Sequence, residues 1–92
     1  MKLVLCTQCG DIFSLHVNTR SCACGSSRGK YTDSDMWTAE VSGRDAIPIG
    51  FGNESFGNAV KARPYMLNDA LMFDAFLIKA DSPTVRMVKH VD

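Results

Sequence analysis

The stretch CTQCG at residues 6–10, followed by CACG at residues 22–25, decides how the first third of this chain folds. It contains all four cysteines of the 92 residues. Two cysteines separated by two residues can direct both sulfurs to one point, and a glycine after the second permits the left-handed backbone that closes such a turn. The stretch therefore predicts one metal ion, with four ligands: Cys6, Cys9, Cys22 and Cys24.

The second cysteine pair is tighter than the first and needs a sharper turn. In a regular strand, residues i and i+2 lie about 6–7 Å apart, whereas tetrahedral zinc, with Zn–S bonds of about 2.3 Å, needs sulfurs about 3.8 Å apart. The segment from Cys22 to Cys24 must therefore curl, which Gly25 permits. Twelve residues separate Cys9 from Cys22, enough for a hairpin over residues 11–21 to bring both pairs to one ion.

Three other uses of the cysteines remain open from the sequence. A disulfide framework needs an oxidising compartment, a rubredoxin-like iron site favours two C-x-x-C-G turns, and a thioredoxin-like dithiol begins a helix. Zinc is the favoured interpretation, since the first pair leads into residues 11–17, which alternate like a strand. Because four thiolates fill the coordination shell and a catalytic zinc keeps one position open, we expect one structural Zn²⁺ per chain and no enzyme activity.

The charge is neutral in sum but uneven along the chain. Residues 1–31 contain four cations and one anion, a net charge of +3. Four thiolates around a divalent zinc contribute about −2, so the cations are interpreted first as compensation for the metal centre. The second interpretation is a nucleic-acid contact through Arg20, Arg28 and Lys30. The aromatic residues that would then stack on bases are Trp37, Tyr31 and Phe51.

Hydrophobic patterning predicts an α+β fold with a small antiparallel sheet, one principal helix and an N-terminal cysteine knuckle. We expect a single domain, 1–92, in which residues 1–32 form the metal-binding head and residues 33–92 the α+β remainder. The predicted strands are 2–5, 11–17, 36–42, 75–80 and 84–91. The predicted helix runs from an N-cap at Asn53 or Ser55 to about Arg63, with Phe56, Ala59, Val60 and Arg63 at helical spacing on one face. Residues 65–72 are either a short helix or irregular.

The C-terminal half carries the predictions with most consequence for topology. Pro48 argues against a central strand over residues 46–52, because proline cannot donate to the ladder. Residues 75–80 are apolar on both faces, which favours a strand covered on both sides. A turn at residues 81–83 then predicts a hairpin with the returning strand over residues 84–91.

The compartment is predicted from what the chain lacks. No apolar run approaches the roughly 18 residues that span a bilayer. The opening MKLVLC is too short for a signal peptide and has no small-residue cleavage site. The sequence therefore predicts a cytoplasmic protein without membrane association, in a reducing compartment where paired cysteines bind metal more often than they form disulfides.

The cysteine stretch resembles the zinc-ribbon group over residues 4–32, with Gly10 and Gly25 matching the glycines of the turns. In that group, two cysteine-bearing turns from adjacent hairpins bind a structural zinc, so the resemblance implies a zinc-ribbon-like knuckle. The C-x-C second pair departs from the usual C-x-x-C. The whole chain, including AIPIGFGNESF at 46–56 and DAFLIKADSPTV at 74–85, more loosely resembles small uncharacterised proteins of bacteria and their phages.

Two functions from different classes follow. Small size, a saturated metal site and neutral charge favour a non-catalytic zinc-stabilised protein that binds and modulates another macromolecule, such as a phage-type regulator or inhibitor of a bacterial host protein. The alternative is a nucleic-acid-binding zinc ribbon that uses Arg20, Arg28 and Lys30. No nucleophile motif is recognisable, and His16 and His90 are interpreted as exposed surface residues.

Overall fold

The computed structural model describes residues 1–64 and 71–92, so the interpretation of residues 65–70 lies outside the described residues. Within them the chain forms one helix and two sheets of four strands each, which confirms the α+β class. The elements are β1 (Lys2–Cys6), β2 (Ile12–Ser14), β3 (Arg20–Ser21), β4 (Arg28–Tyr31), β5 (Ala39–Ser42), β6 (Ala46–Phe51), α1 (Asn53–Ala62), β7 (Ala75–Leu77) and β8 (Val85–Val88).

The two sheets differ in how their strands pair. The first has the order β2-β1-β6-β7 and is antiparallel, whereas the second has the order β3-β4-β5-β8 and contains one parallel pair, β5 with β8. Side chains alternate between the faces of each strand, so Val4 on β1 and Val41 on β5 are fully buried. The buried core cluster consists of Val4, Leu15, Tyr31, Ala39, Val41, Ala46 and Val85.

Both predicted hairpins are wrong. Residues 11–21 do not pair with one another, because β2 pairs with β1 and β3 pairs with β4. Residues 75–80 and 84–91 also separate, since β7 pairs with β6 and β8 pairs with β5. Ile78 packs against the core next to the first sheet, and Val85 is buried in it from the second. Packing of Ile78 and burial of Val85 against one core therefore outweigh local pairing across the short turn between the two segments.

Pro48 lies in a central strand, contrary to the sequence prediction. It is opposite Val4 in the β1–β6 register, yet its carbonyl accepts a hydrogen bond from the Ile78 N–H at 2.9 Å. Because the N–H and C=O of one strand residue point to the same side, the missing N–H faces β7 and no bond to β1 is lost. The β6–β7 ladder ends at Leu77, so proline is tolerated at this position.

The start of α1 is stabilised differently from the prediction. Its N-cap is Gly52, not Asn53 or Ser55. The Ser55 hydroxyl donates to the Gly52 carbonyl at 3.0 Å and accepts from the Asp74 N–H at 2.9 Å, so this serine connects the helix to the residue before β7. Val60, predicted to share a helix face with Phe56 and Ala59, is 51% exposed, whereas Ala59 is buried.

Two strands are shorter or more exposed than predicted. All of β7 is exposed, so the prediction of a strand covered on both sides is wrong, because β7 lies at the edge of its sheet. The strand predicted over residues 36–42 begins only at Ala39, since Met36 has a φ of 57°. That left-handed conformation forms a turn and cannot continue a strand.

Gly57→Ala is expected to raise the free energy of unfolding by about 0.5–1 kcal/mol, because glycine is the costlier residue in a helix interior. Gly57 lies within α1, and a Cβ added there meets no atom within 4 Å. Urea unfolding with excess zinc measures the difference. A variant less stable than the wild type would contradict the helix assignment at this position.

Candidate metal centre

Two turns bring the four cysteines together. Cys6 ends β1 and Cys9 lies in the turn that follows, while Cys22 and Cys24 lie in the turn between β3 and β4. Their sulfurs all lie within 4.8 Å of one another. Cys6 and Cys22 are buried, whereas Cys9 and Cys24 are exposed. The cluster therefore lies at the surface, with its two buried cysteines anchoring it, and could hold one metal ion.

The sulfur distances and the turn geometry fit tetrahedral coordination. Cys6 Sγ lies 3.8 Å and Cys22 Sγ 3.5 Å from Cys24 Sγ, close to the value of about 3.8 Å expected around one zinc ion. The predicted curl of the second pair is present, with Gly25 at a φ of 80° and its N–H 3.1 Å from the Cys22 carbonyl. Gly10 closes the first turn in the same way, at a φ of 78° and 2.7 Å from the Cys6 carbonyl.

Two consecutive serines provide hydrogen-bond donors to the sulfurs. Ser26 Oγ lies 3.1 Å from Cys24 Sγ, 3.3 Å from Cys6 Sγ and 4.0 Å from Cys22 Sγ. The backbone N–H of Ser27 donates to Cys22 Sγ at 3.3 Å. Donors to sulfur favour the thiolate, which is the form that binds metal.

These contacts change the pKa values of the thiols unequally. The hydrogen bond from the Ser26 side chain is the largest of the causes that lower the pKa of Cys6 to about 5, and the Ser27 side chain acts in the same direction, against the effect of burial. Burial raises the pKa of Cys22, but the backbone hydrogen bond from Ser27 and contacts with other thiols outweigh it, so the pKa is lowered. Ser26 acts to lower the pKa of Cys24, yet contacts with neighbouring thiols and burial raise it. Thiolates this close repel one another unless a cation lies between them.

The Ser27 side chain offers a test of whether the site fits bound metal. Its hydroxyl is fully buried and has no hydrogen-bond partner among the described residues, although buried hydroxyls are normally bonded. It contributes to the lowered pKa of Cys6, so a Cys6 thiolate gives it an acceptor. The donor set therefore fits a cluster of deprotonated, metal-bound sulfurs.

Hydrogen bonds from outside the cysteine pairs connect the two turns to each other and to β6. The Asp11 carboxylate accepts from the Ala23 N–H at 2.9 Å, and its carbonyl accepts from the Cys6 N–H at 2.9 Å. The Asp45 carbonyl accepts from the Thr7 N–H at 2.9 Å. These bonds add to the contacts between the two turns that a shared metal ion would hold together.

Sequence reasoning missed Ser26, Ser27 and Asp11 as residues of this site. A partial signal was present, since a small polar residue directly follows each turn glycine, Gly10 and Gly25. The signal was insufficient because it does not show which sulfur each polar group contacts.

The three cationic candidates lie along β3 and β4, and two of them bond within the fold. Arg20 Nη1 donates to a serine hydroxyl of β2 at 3.0 Å, and Arg28 Nε donates to the Val91 carbonyl at 2.9 Å. Lys30 lies opposite Glu40 in the β4–β5 register. The pKa shifts of the thiols are caused by hydrogen bonds and burial rather than by these three cations. The interpretation of these cations as compensation for the metal centre gains no support.

The aromatic residues predicted to stack on bases differ in how exposed their side chains are. Trp37 is 62% exposed, whereas Tyr31 is buried in the core. Phe51 packs against two other phenylalanine rings at centroid distances of 5.2 Å. Of the three aromatic residues, Trp37 is thus the one able to contact another molecule. His16 and His90 are exposed, as predicted.

The segment we call the Trp37 loop, residues 32–38, holds its tryptophan in a fixed position. The Asp33 carboxylate accepts from the Trp37 N–H at 3.1 Å and from the Thr38 hydroxyl at 2.9 Å. The Lys2 ammonium donates to the Trp37 carbonyl at 2.6 Å and lies 5.2 Å from the centroid of the indole ring. The loop therefore presents an exposed ring on a backbone restrained by several bonds.

Asp33 gives this loop a pH dependence. The hydrogen bonds from the Trp37 backbone and the Thr38 side chain lower the pKa of Asp33. A lowered carboxyl pKa stabilises the fold above the unfolded-state pKa of about 3.9, and the contribution is lost as the pH falls through the lower folded-state pKa. The difference in unfolding free energy between wild type and Asp33→Ala should therefore be constant above about pH 5 and shrink below about pH 4.

Urea unfolding at each pH measures this difference. Asp35→Ala removes an exposed carboxylate of the same loop and is the control, for which we expect little difference at any pH. A difference for Asp33→Ala that grows on acidification would contradict the assigned hydrogen bonds.

Comparison of the chain with protein-family models, with curated proteins and with solved structures gave no match. The likeness to zinc ribbons and to bacterial or phage proteins therefore rests on the residues of the motifs alone. Within residues 1–64 and 71–92, no helix has the length and apolar character needed to cross a membrane. At this site the structure shows a four-cysteine cluster able to hold one metal ion.

Proposed function

We propose that this chain is a small, non-catalytic, zinc-stabilised protein of the cytoplasm that binds and modulates another protein, in the manner of a phage-encoded regulator or inhibitor of a bacterial host protein. The observation that carries the proposal is the cluster of four sulfurs within 4.8 Å, presented by two separate turns. Four thiolates leave no open position on a tetrahedral ion for water or substrate. This supports a stabilising metal and no catalysis.

The ion would be held by all four cysteines of the cluster, Cys6, Cys9, Cys22 and Cys24. When bound, it supplies a cross-link between the turn of the first sheet and the turn of the second. Such a link matters in a chain of this size, because one small core stabilises so short a domain only modestly. Two cysteine-bearing turns, each at the end of a strand pair, also support the zinc-ribbon interpretation of the head.

The Trp37 loop is the surface that we assign to the protein partner. In this loop Trp37 and Met36 are 62% and 51% exposed, and Met1, which lines the same surface cavity, is 58% exposed. Tryptophan and methionine are enriched at protein interfaces, and a ring on a restrained loop loses little conformational entropy on binding. The large exposed ring on a fixed backbone is therefore better explained by a binding role than by the stability of the fold.

Affinity capture from bacterial lysate tests this function. The tagged wild-type chain should recover a stoichiometric protein, and Trp37→Ala should lose it because the main contact ring is gone. Leu77→Ala is the matched control, since it removes a side chain that is 66% exposed on β7, and should retain the partner. Recovery of no stoichiometric partner would overturn the function, whereas retention by both variants would overturn only the surface.

The alternative, a nucleic-acid-binding zinc ribbon, is favoured by one observation. Lys2 lies beside the exposed Trp37 ring, and a cation next to a stacking platform is typical of single-strand binders. Labelled single- and double-stranded DNA and RNA in a salt series distinguish the two functions, because phosphate contacts weaken with salt. Lys30→Ala is a cleaner test than Arg28→Ala, which also removes the bond to Val91. Absence of binding at low salt would eliminate this alternative.

A further inference from the structure

Ser26 occupies a specific place over the sulfur cluster. Its hydroxyl oxygen lies 3.1, 3.3 and 4.0 Å from the sulfurs of Cys24, Cys6 and Cys22. It therefore lies against the face formed by these three sulfurs. Ser26 is itself exposed, so the position of its hydroxyl is not a consequence of core packing.

We propose that Ser26 is a positioning residue of the metal centre, whose hydroxyl donates to the thiolates of Cys24 and Cys6 and thereby sets how tightly the ion is held. This inference rests on the proposed four-cysteine metal site. The single O–H can donate to one sulfur at a time, and both of the two nearest sulfurs lie within hydrogen-bond distance of it. Both acceptors carry excess negative charge in a tetrathiolate centre, which makes the hydrogen bond charge-assisted.

The need for such a donor follows from the charge of the site. Four thiolates and one divalent ion leave a charge of about −2. Two of the nearby cations bond elsewhere, since Arg20 donates to a serine of β2 and Arg28 to the Val91 carbonyl. Local hydrogen-bond donors, with Ser26 the nearest side chain, are then left to stabilise that charge.

The backbone of Ser26 is held in place by the second sheet. Gly43, between β5 and β6, approaches so closely that a Cβ there would lie 2.4 Å from the Ser26 carbonyl oxygen. The neighbouring Ser27 N–H is bonded to Cys22 Sγ. The hydroxyl is therefore preorganised over the sulfurs, as partners that orient metal ligands generally are.

Ser26→Ala tests the proposal by removing only the hydroxyl of an exposed residue. In competition with a chromophoric chelator, we expect the variant to bind zinc with an apparent affinity about 10-fold or more below that of the wild type. This is the usual effect of losing a hydrogen bond to a metal ligand. In the Co²⁺-substituted protein, the sulfur-to-cobalt charge-transfer band should move to longer wavelength, because a thiolate without its donor gives up charge more easily. Ser26→Thr should restore both properties, and Ser21→Ala, an exposed serine of β3, should leave both unchanged.

The outcomes separate this inference from the proposed function. Wild-type protein that binds neither zinc nor cobalt overturns both. Wild-type protein with one ion per chain, together with unchanged affinity and band position in Ser26→Ala, overturns the role of Ser26 alone. Equal losses in Ser26→Ala and Ser26→Thr also overturn it, because the hydroxyl would then not be the group responsible.

Discussion

Cys22→Ser should reduce bound zinc from about one ion per chain to a small fraction of that and leave the N-terminal third poorly ordered. Cys22 is almost fully buried and its sulfur lies 3.5 Å from that of Cys24. A serine oxygen is a poorer ligand for zinc and cannot reach as far as sulfur. The binding free energy of structural zinc is comparable to the whole unfolding free energy of a small domain, so losing the ion should unfold both turns.

Cys9→Ser separates loss of metal from loss of packing. Cys9 is exposed, so its replacement leaves the core unchanged and removes only a ligand. Metal analysis of the purified protein should show the same loss of zinc as for Cys22→Ser, while Ser21→Ala should keep one ion. A Cys9→Ser protein with full zinc content and full thermal stability would overturn the four-cysteine site. An excess of chelator should reproduce the effect on the wild type, with loss of amide dispersion in the N-terminal third.

Gly43→Ala should lower the free energy of unfolding by about 3 kcal/mol. Gly43 has a φ of 119°, a backbone conformation that residues other than glycine rarely adopt. The added Cβ would lie 2.4 Å from the Ser26 carbonyl oxygen and 3.0 Å from Ser27 Cα. Both contacts are with backbone atoms, so no side-chain rotation relieves them. The backbone at Ser26 and Ser27, which provide the hydrogen-bond donors to the sulfurs, must therefore move.

Two measurements check this prediction. Urea unfolding in excess zinc should show the loss of stability, and chelator competition should show weaker zinc retention because Ser26 is displaced. Gly57→Ala is the control with the opposite expected sign, since a Cβ there meets no atom within 4 Å. A Gly43→Ala protein as stable as the wild type would show that the β5–β6 turn does not press against the second cysteine turn.

Tertiary burial decided the strand pairing that local pattern predicted wrongly. The turn after residue 80 favoured a hairpin, yet β7 and β8 belong to different sheets. The observed pairing places Val85 and Ile78 against one core, even though the residues of β7 itself stay exposed at the edge of the first sheet. Pro48 was misjudged for a related reason. The cost of its missing N–H depends on which neighbouring strand it faces, and that is a property of the sheet.

The sequence by itself determined the features that depend on short spacing. Cys6 and Cys9, Cys22 and Cys24, and the glycine after each pair predict the two tight turns, because positive φ angles and short sulfur separations are local properties of a few residues. A short apolar run before the first cysteine predicted β1, and the α+β class followed from the mixture of strand and helix patterns. Only the tertiary structure placed Ser26 next to the Cys6 sulfur and directed Arg28 to Val91. Those contacts join segments that are brought together by burying apolar side chains, and the free energy of that burial belongs to the whole core.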